Sequence, residues 1–77
     1  MTKYDPLNEY LKKSGRLNLR LTFAEIEKIL NDKLPASAYV HEQWWLRGGH
    51  TQDKAWLEAG YMVDEIDLNE QIVIFHQ

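Results

Sequence analysis

Apolar residues along the chain follow two different periods, and each change of period marks an element. Leu7, Tyr10 and Leu11 recur at i, i+3 and i+4, the single stripe of a short helix. Asp5 is placed to cap its N-terminus, and Pro6 suits the first turn, where a missing N–H costs nothing. Ser14-Gly15 ends it, since glycine takes a positive φ freely. Arg16-Leu17-Asn18-Leu19-Arg20-Leu21 then alternates strictly. That alternation predicts a half-buried strand with the three Leu on one face and Arg16, Asn18 and Arg20 on the other. Thr22-Phe23-Ala24-Glu25 is a capping box, and Leu21 and Ile26 stand where a hydrophobic staple needs them. Phe23, Ile26, Ile29 and Leu30 form the buried stripe of this second helix, and Asn31-Asp32-Lys33 closes it.

Pro35 opens a third helix running to about Leu46, in which Tyr39, Val40, Trp44 and Leu46 mix with His41, Gln43 and Arg47. Arg47-Gly48-Gly49-His50 breaks it, and Thr51 caps a further short helix over 52–59 with Ala55, Trp56 and Ala59 on its apolar side. Gly60 suits the residue just beyond that helix. Segments 61–67 and 71–76 read as a hairpin around Leu68-Asn69-Glu70, with Asn69 suited to a left-handed turn conformation. Tyr61 and Val63 point one way and Ile66 the other, so a bulge or a two-sided strand is expected. A hairpin alone is marginal in water, and strand 17–21 would make it a three-stranded antiparallel sheet. The expected fold is therefore α+β and winged-helix-like, with three to four short helices and a small antiparallel sheet ending in a C-terminal hairpin.

Composition narrows the classes of function. The chain has 77 residues, no cysteine and a formal charge of −3. One domain over 1–77 is expected from the length. A disulfide framework and a thiolate metal site are excluded. No apolar run approaches the roughly 20 residues of a membrane span, so no membrane contact is expected. Without the apolar core of a signal peptide at residues 1–6, a cytoplasmic location is expected. The charge is uneven: residues 1–37 carry seven basic and five acidic groups, and residues 38–77 carry two basic and seven acidic ones. The two halves suit different partners.

Several groups of residues carry candidate chemistry. Taken as the second helix of a helix–turn–helix, segment 35–46 turns Tyr39, His41, Gln43 and Arg47 toward a major groove, with Lys54 nearby. Gln and Arg make bidentate contacts to base edges. Lys12, Lys13, Arg16, Arg20, Lys28 and Lys33 form a basic set able to neutralise phosphates. Lys28 and Lys33 of this set complete the nucleic-acid-binding candidates. The plainer reading of both groups is an ordinary solvated surface. Trp44 and Trp45 point about 100° apart on a helix, so one face cannot bury both. One indole is read as an exposed anchor for a partner, taken as Trp45, against the alternative that one of the pair is core and the other half-covered by segment 48–60. Asp64, Glu65 and Asp67, with Glu70, put acid on the hairpin, where a wing would meet DNA phosphates. They suit a basic protein surface better. His41, His50 and His76 lack metal-ligand spacing, and no nucleophile motif or phosphate loop is present. No metal, cofactor or catalytic activity is expected.

Tyr4-Asp5-Pro6-Leu7 with Tyr10-Leu11, Leu21-Thr22-Phe23 with Glu25-Ile26-Glu27 and Ile29-Leu30, and Leu34-Pro35 with Ser37-Ala38 form one run of motifs. Trp44-Trp45, His50 with Gln52, Ala55-Trp56-Leu57, Ala59-Gly60-Tyr61, Val63, Asp67-Leu68 and Val73 with Phe75 continue it. In these the chain resembles a small bacterial domain family of unknown function over nearly its whole length. The resemblance implies one domain and brings no catalytic residue with it.

The leading expectation is a non-enzymatic, nucleic-acid-binding module of winged helix–turn–helix type in a bacterium or phage. The alternative is a protein–protein interaction module, such as a small acidic phage or mobile-element inhibitor of a host nucleic-acid enzyme, of anti-CRISPR or anti-restriction type. A homodimer through an exposed edge at 72–75 is compatible with either, because that strand is apolar on both faces.

Overall fold

The computed structural model describes residues 3–46 and 52–77. Among them the order is α1 (Asp5–Ser14), β1 (Asn18–Thr22), α2 (Phe23–Leu30), α3 (Ala36–Val40), α4 (Gln43–Leu46), α5 (Asp53–Leu57), β2 (Met62–Asp67) and β3 (Ile72–His76). The fold is α+β, with five short helices among the described residues and one three-stranded antiparallel sheet.

The strongest local signals are realised closely. The Thr22 hydroxyl accepts the Glu25 amide at 3.0 Å, and Glu25 Oε1 accepts the Thr22 amide at 2.9 Å. Leu21 and Ile26 are both buried, as a staple requires. Asn31 stops α2 in the left-handed region at φ 55°, and Gly15 stops α1 at φ 64°. The start of α1 differs from expectation. Tyr4, not Asp5, is the capping residue, and its carbonyl accepts the amides of Leu7 and Asn8 at 3.1 and 3.2 Å. Burial of the Tyr4 ring against the edge of Trp44 fixes the chain one residue earlier. The expected strand also loses its first Leu: Leu17 lies before β1 and is 73% exposed, while Leu19 and Leu21 are buried.

The sheet has strand order β1–β3–β2. Its inner face carries the rows Leu19–Phe75–Val63 and Leu21–Val73–Ile66, and its outer face the rows Arg20–Ile74–Glu65 and Thr22–Ile72–Asp67. The register slips between Val63 and Glu65. This is the expected bulge, and it brings Val63 and Ile66 to the same face, against the core. The hairpin turn is set by Asp67, whose Oδ1 accepts the amides of Asn69 and Glu70 at 3.0 Å each. The left-handed residue is Gln71 (φ 58°), not Asn69. That conformation aims the Gln71 carbonyl at the Phe23 amide, 2.8 Å away, and so ties the turn to the start of α2. β3 is the central strand, bonded on both sides, so 72–75 is not the exposed edge expected of it.

The expected single helix over 35–46 is two helices broken at His41, whose φ and ψ of −124° and 116° are extended. The break has a hydrogen-bonding reason. In an unbroken helix the Ala38 carbonyl accepts the amide four residues on. Here it accepts the indole N–H of Trp45 at 2.9 Å, in the buried interior. Breaking the helix lets Trp45 enter the core with its N–H satisfied, which a buried indole needs. Trp45 is 1% exposed, so the expectation of an exposed anchor there is corrected. Trp44 is the half-buried member of the pair. α5 is shorter than expected and begins after Gln52; Thr51 lies outside the described residues.

The core is held by aromatic contacts that cross every layer. Phe23 of α2 stacks on Trp45 of α4 at 5.0 Å, Trp45 on Trp56 of α5 at 5.8 Å, and Trp56 meets Phe75 of β3 at 5.7 Å. Tyr61 is buried, with its hydroxyl donating to the Arg16 carbonyl at 2.6 Å and sharing a 2.6 Å bond with Ser14 Oγ. That contact pins the α1–β1 connection against the start of β2. Asn8 Nδ2 donates to the Ala55 carbonyl at 2.9 Å and joins α1 to α5.

Candidate nucleic-acid interface

The sequence of α1 divides its faces. Leu7 and Leu11 are buried, which leaves Tyr10, Lys13 and Ser14, at i, i+3 and i+4, on a common outer face. The left-handed Gly15 turns the chain so that Arg16 follows directly onto that side. In α2 the same spacing sets Glu25, Lys28 and Ile29 in line, away from the buried Phe23, Ile26 and Leu30. α2 follows β1 directly in the chain and packs against α1. The result is an open groove of about 610 Å³ lined by Tyr10, Lys13, Ser14, Arg16, Leu19, Arg20, Leu21 and Glu25. It continues into a second concavity of about 330 Å³ lined by Tyr10, Leu21, Glu25, Lys28 and Ile29. Tyr10, Leu21 and Glu25 belong to both.

Charge in this groove is one-sided. Four cations, Lys13, Arg16, Arg20 and Lys28, face one carboxylate. That carboxylate, Glu25, already accepts the Thr22 amide in the capping box. A chain of net −3 thus concentrates positive charge on one face.

The other expected nucleic-acid residues are dispersed. Tyr39 is half-buried; its ring meets Phe23 edge-on at 5.2 Å and its hydroxyl donates to Glu27 Oε2 at 2.6 Å. The same Glu27 oxygen accepts the Leu34 amide at 2.9 Å. The hydrogen bond from Tyr39, then the Leu34 amide, hold the Glu27 carboxyl below its ordinary value, with a smaller contribution from Lys33, against the opposing effect of burial. The bond to Glu27 pushes the Tyr39 hydroxyl up to about 12. Tyr39 therefore holds the α2–α3 connection and does not face outward as a base contact. Lys33 sits in that connection, with its amide bonded to Asp32 Oδ1 at 2.8 Å. His41 and Gln43 are exposed, one at the helix break and one on α4, and neither lines the groove. Arg47 lies outside the described residues. Of the expected basic set, Lys13, Arg16, Arg20 and Lys28 line the groove.

The acidic candidates gather elsewhere. Glu65 and Asp67, with Glu70, line a shallow concavity of about 240 Å³ on the outer sheet face, over Ile72 and Ile74 and beside Arg20. Asp64 is exposed at the bulge. Arg20 stands at the border, lining both this face and the cationic groove. Among the described residues no group of three or more His, Cys, Asp or Glu is placed to hold a metal ion, and no helix is long and apolar enough to cross a membrane.

Tyr10 is the groove residue that sequence reasoning placed wrongly. Its spacing put it in the apolar stripe with Leu7 and Leu11, yet it is 41% exposed. Its three-residue offset from Lys13 was the available sign that it borders a polar face.

No curated protein and no solved structure matches the chain. A family model described as a domain of unknown function (DUF7662) matches residues 4–77, and the chain belongs to that family.

Proposed function

We propose that this domain is a non-enzymatic nucleic-acid-binding module whose contact surface is the groove between α1, β1 and α2. The observation that carries this reading is the meeting of Lys13, Arg16, Arg20 and Lys28 around one groove whose single carboxylate is engaged in a helix cap. Phosphate neutralisation supplies most of the sequence-independent affinity for nucleic acid. In this reading the order of elements and the β1–β3–β2 sheet are a winged-helix-like arrangement, but the contact moves away from the expected recognition helix. α3 and α4 have five and four residues, too short and too divided to present one helical face along a major groove.

Fluorescence anisotropy with a labelled oligonucleotide at graded salt tests this. Binding is expected at low salt and is lost on Lys13→Ala, Arg16→Ala, Arg20→Ala combined. The absence of binding at low salt, or binding indifferent to those substitutions, overturns the reading.

The outer sheet face favours a second reading. Ile72 and Ile74 are only half-covered there, and Glu65, Asp67 and Glu70 surround them with a single Arg20 in opposition. A partner protein of opposite charge, with apolar groups between its cations, is the complement of that face. Charge reversal by Glu65→Lys with Asp67→Lys is expected to abolish binding of a lysine-rich probe peptide. An unchanged affinity removes this reading.

A further inference from the structure

We propose that the α1–β1–α2 groove takes single-stranded nucleic acid in preference to duplex, with the Tyr10 ring as the platform on which an unpaired base stacks. This rests on the reading of the groove as a phosphate-binding surface and specifies what that surface holds.

Of the aromatic side chains, which all fall among the described residues, Tyr10 is the one that is exposed. The others are committed. Phe23, Trp45, Trp56 and Phe75 form the interlayer stack, Tyr4 and Tyr61 are buried, and Trp44 and Tyr39 are half-buried against the core. Tyr10 has no hydrogen bond or ring contact among the described residues. It also stands where the two concavities meet. Lys13, Arg16 and Arg20 lie on one side of it and Lys28 on the other, over a floor that includes Leu21 and Ile29. A backbone crossing this groove meets cations before and after the ring, while its base meets the ring itself.

The shape separates the two forms of nucleic acid. Duplex readers insert a protruding helix or ribbon into a groove of the DNA, whereas this surface is concave. Bases in a duplex are already stacked on their neighbours and cannot reach a ring inside such a groove. An unpaired base offers a free face, and aromatic stacking between cationic contacts is how single strands are held without sequence preference. Glu25, the one carboxylate, is held toward the Thr22 amide and the helix N-terminus.

The test compares an oligothymidylate of roughly 12 nucleotides, a length within reach of one small domain, with a duplex of equal length at low salt. The single strand is expected to bind at least about tenfold tighter, the worth of one stacked base. Tyr10→Ala is expected to remove that preference, and Tyr10→Phe, which keeps the ring, to preserve it. Tyr10→Trp adds a reporter whose emission is quenched by the stacked base. Lys12→Ala, outside the groove, serves as the control for non-specific charge effects. Equal affinity for both forms, or a Tyr10→Ala protein that still prefers the single strand, overturns the single-strand assignment. If Lys13→Ala and Arg16→Ala still weaken binding in that case, the cationic groove stands without it. Absence of binding to either form overturns both.

Discussion

The aromatic wall and the cationic groove share α2, and they use it in opposite ways. On the inner side, Phe23 stacks on Trp45, which stacks on Trp56, which meets Phe75, so that α2, α4, α5 and β3 are joined through rings. The Trp45 N–H is used there to close on the Ala38 carbonyl. On the outer side, Lys28 and Ile29 border a groove whose cations have no ion-pair partner among the described residues; the ion pair seen there is Lys3–Asp32, at 3.4 Å, elsewhere on the surface. The difference separates residues that hold the fold from residues left to act on something else. In a chain of this size the first group must be large, because a small domain buries a limited fraction of its surface.

The largest expected effect comes from the wall. Trp45→Ala removes a ring in contact with Phe23, Trp44 and Trp56 and leaves the Ala38 carbonyl without its donor. A loss of roughly 3–5 kcal/mol is expected in urea unfolding. A variant that stays folded with near-normal stability yet loses binding would make Trp45 a contact residue after all. The groove behaves in the reverse manner: Lys13→Ala with Arg16→Ala should change stability by no more than about 0.5 kcal/mol, while each cation removed lowers the salt slope of binding by about one.

A middle-sized effect lies at the junction of the two regions, where Glu27 accepts from Tyr39 and Leu34. Tyr39→Phe is expected to cost about 1–2 kcal/mol, as for a hydrogen bond to a charged group, with binding unaltered. The pH dependence has a definite sign. Glu27 is held below its ordinary value of 4.5, so its contribution is present above that value and is lost as pH falls through the lowered one. Tyr39 is raised from 10.0 to about 12, so its contribution is complete below pH 10.0 and fades as pH rises toward 12. Thermal melts across both windows, compared with Tyr39→Phe, should show the wild-type advantage shrinking at each end. An advantage that is constant with pH contradicts the role assigned to the pair. A smaller loss is expected at the cap: Thr22→Ala should cost about 1 kcal/mol and leave the groove cations in place.

These regions were not equally legible in the sequence. α2 was readable because its signals are local: the capping box, the staple and the apolar stripe lie within ten residues and agree. The same holds for the alternation around Leu19 and Leu21. The break at His41 was not readable, since its cause is the bond from Trp45 to a carbonyl seven residues earlier, which depends on the core that both enter. Asn69 was the better left-handed candidate by residue type, yet Gln71 takes that conformation because its carbonyl meets Phe23 from another element. The cationic groove was half visible. Lys13, Arg16, Arg20 and Lys28 stand out as a basic set, but their convergence, and the separation of Lys33 and Lys12 from them, follow from how α1 packs on α2 beside β1. Tyr10 shows the limit of periodicity, which identifies a stripe but not where the stripe ends.

The contact surface itself can be located by following backbone amide shifts in a nitrogen-15 NMR titration with oligothymidylate. Perturbations are expected to concentrate on Tyr10, Lys13, Arg16, Arg20 and Lys28 and their neighbours along α1, β1 and α2, with Glu65, Asp67 and Glu70 unmoved. Perturbations centred on the outer sheet face or on α3 and α4, or none at low salt, would contradict the groove as the contact surface.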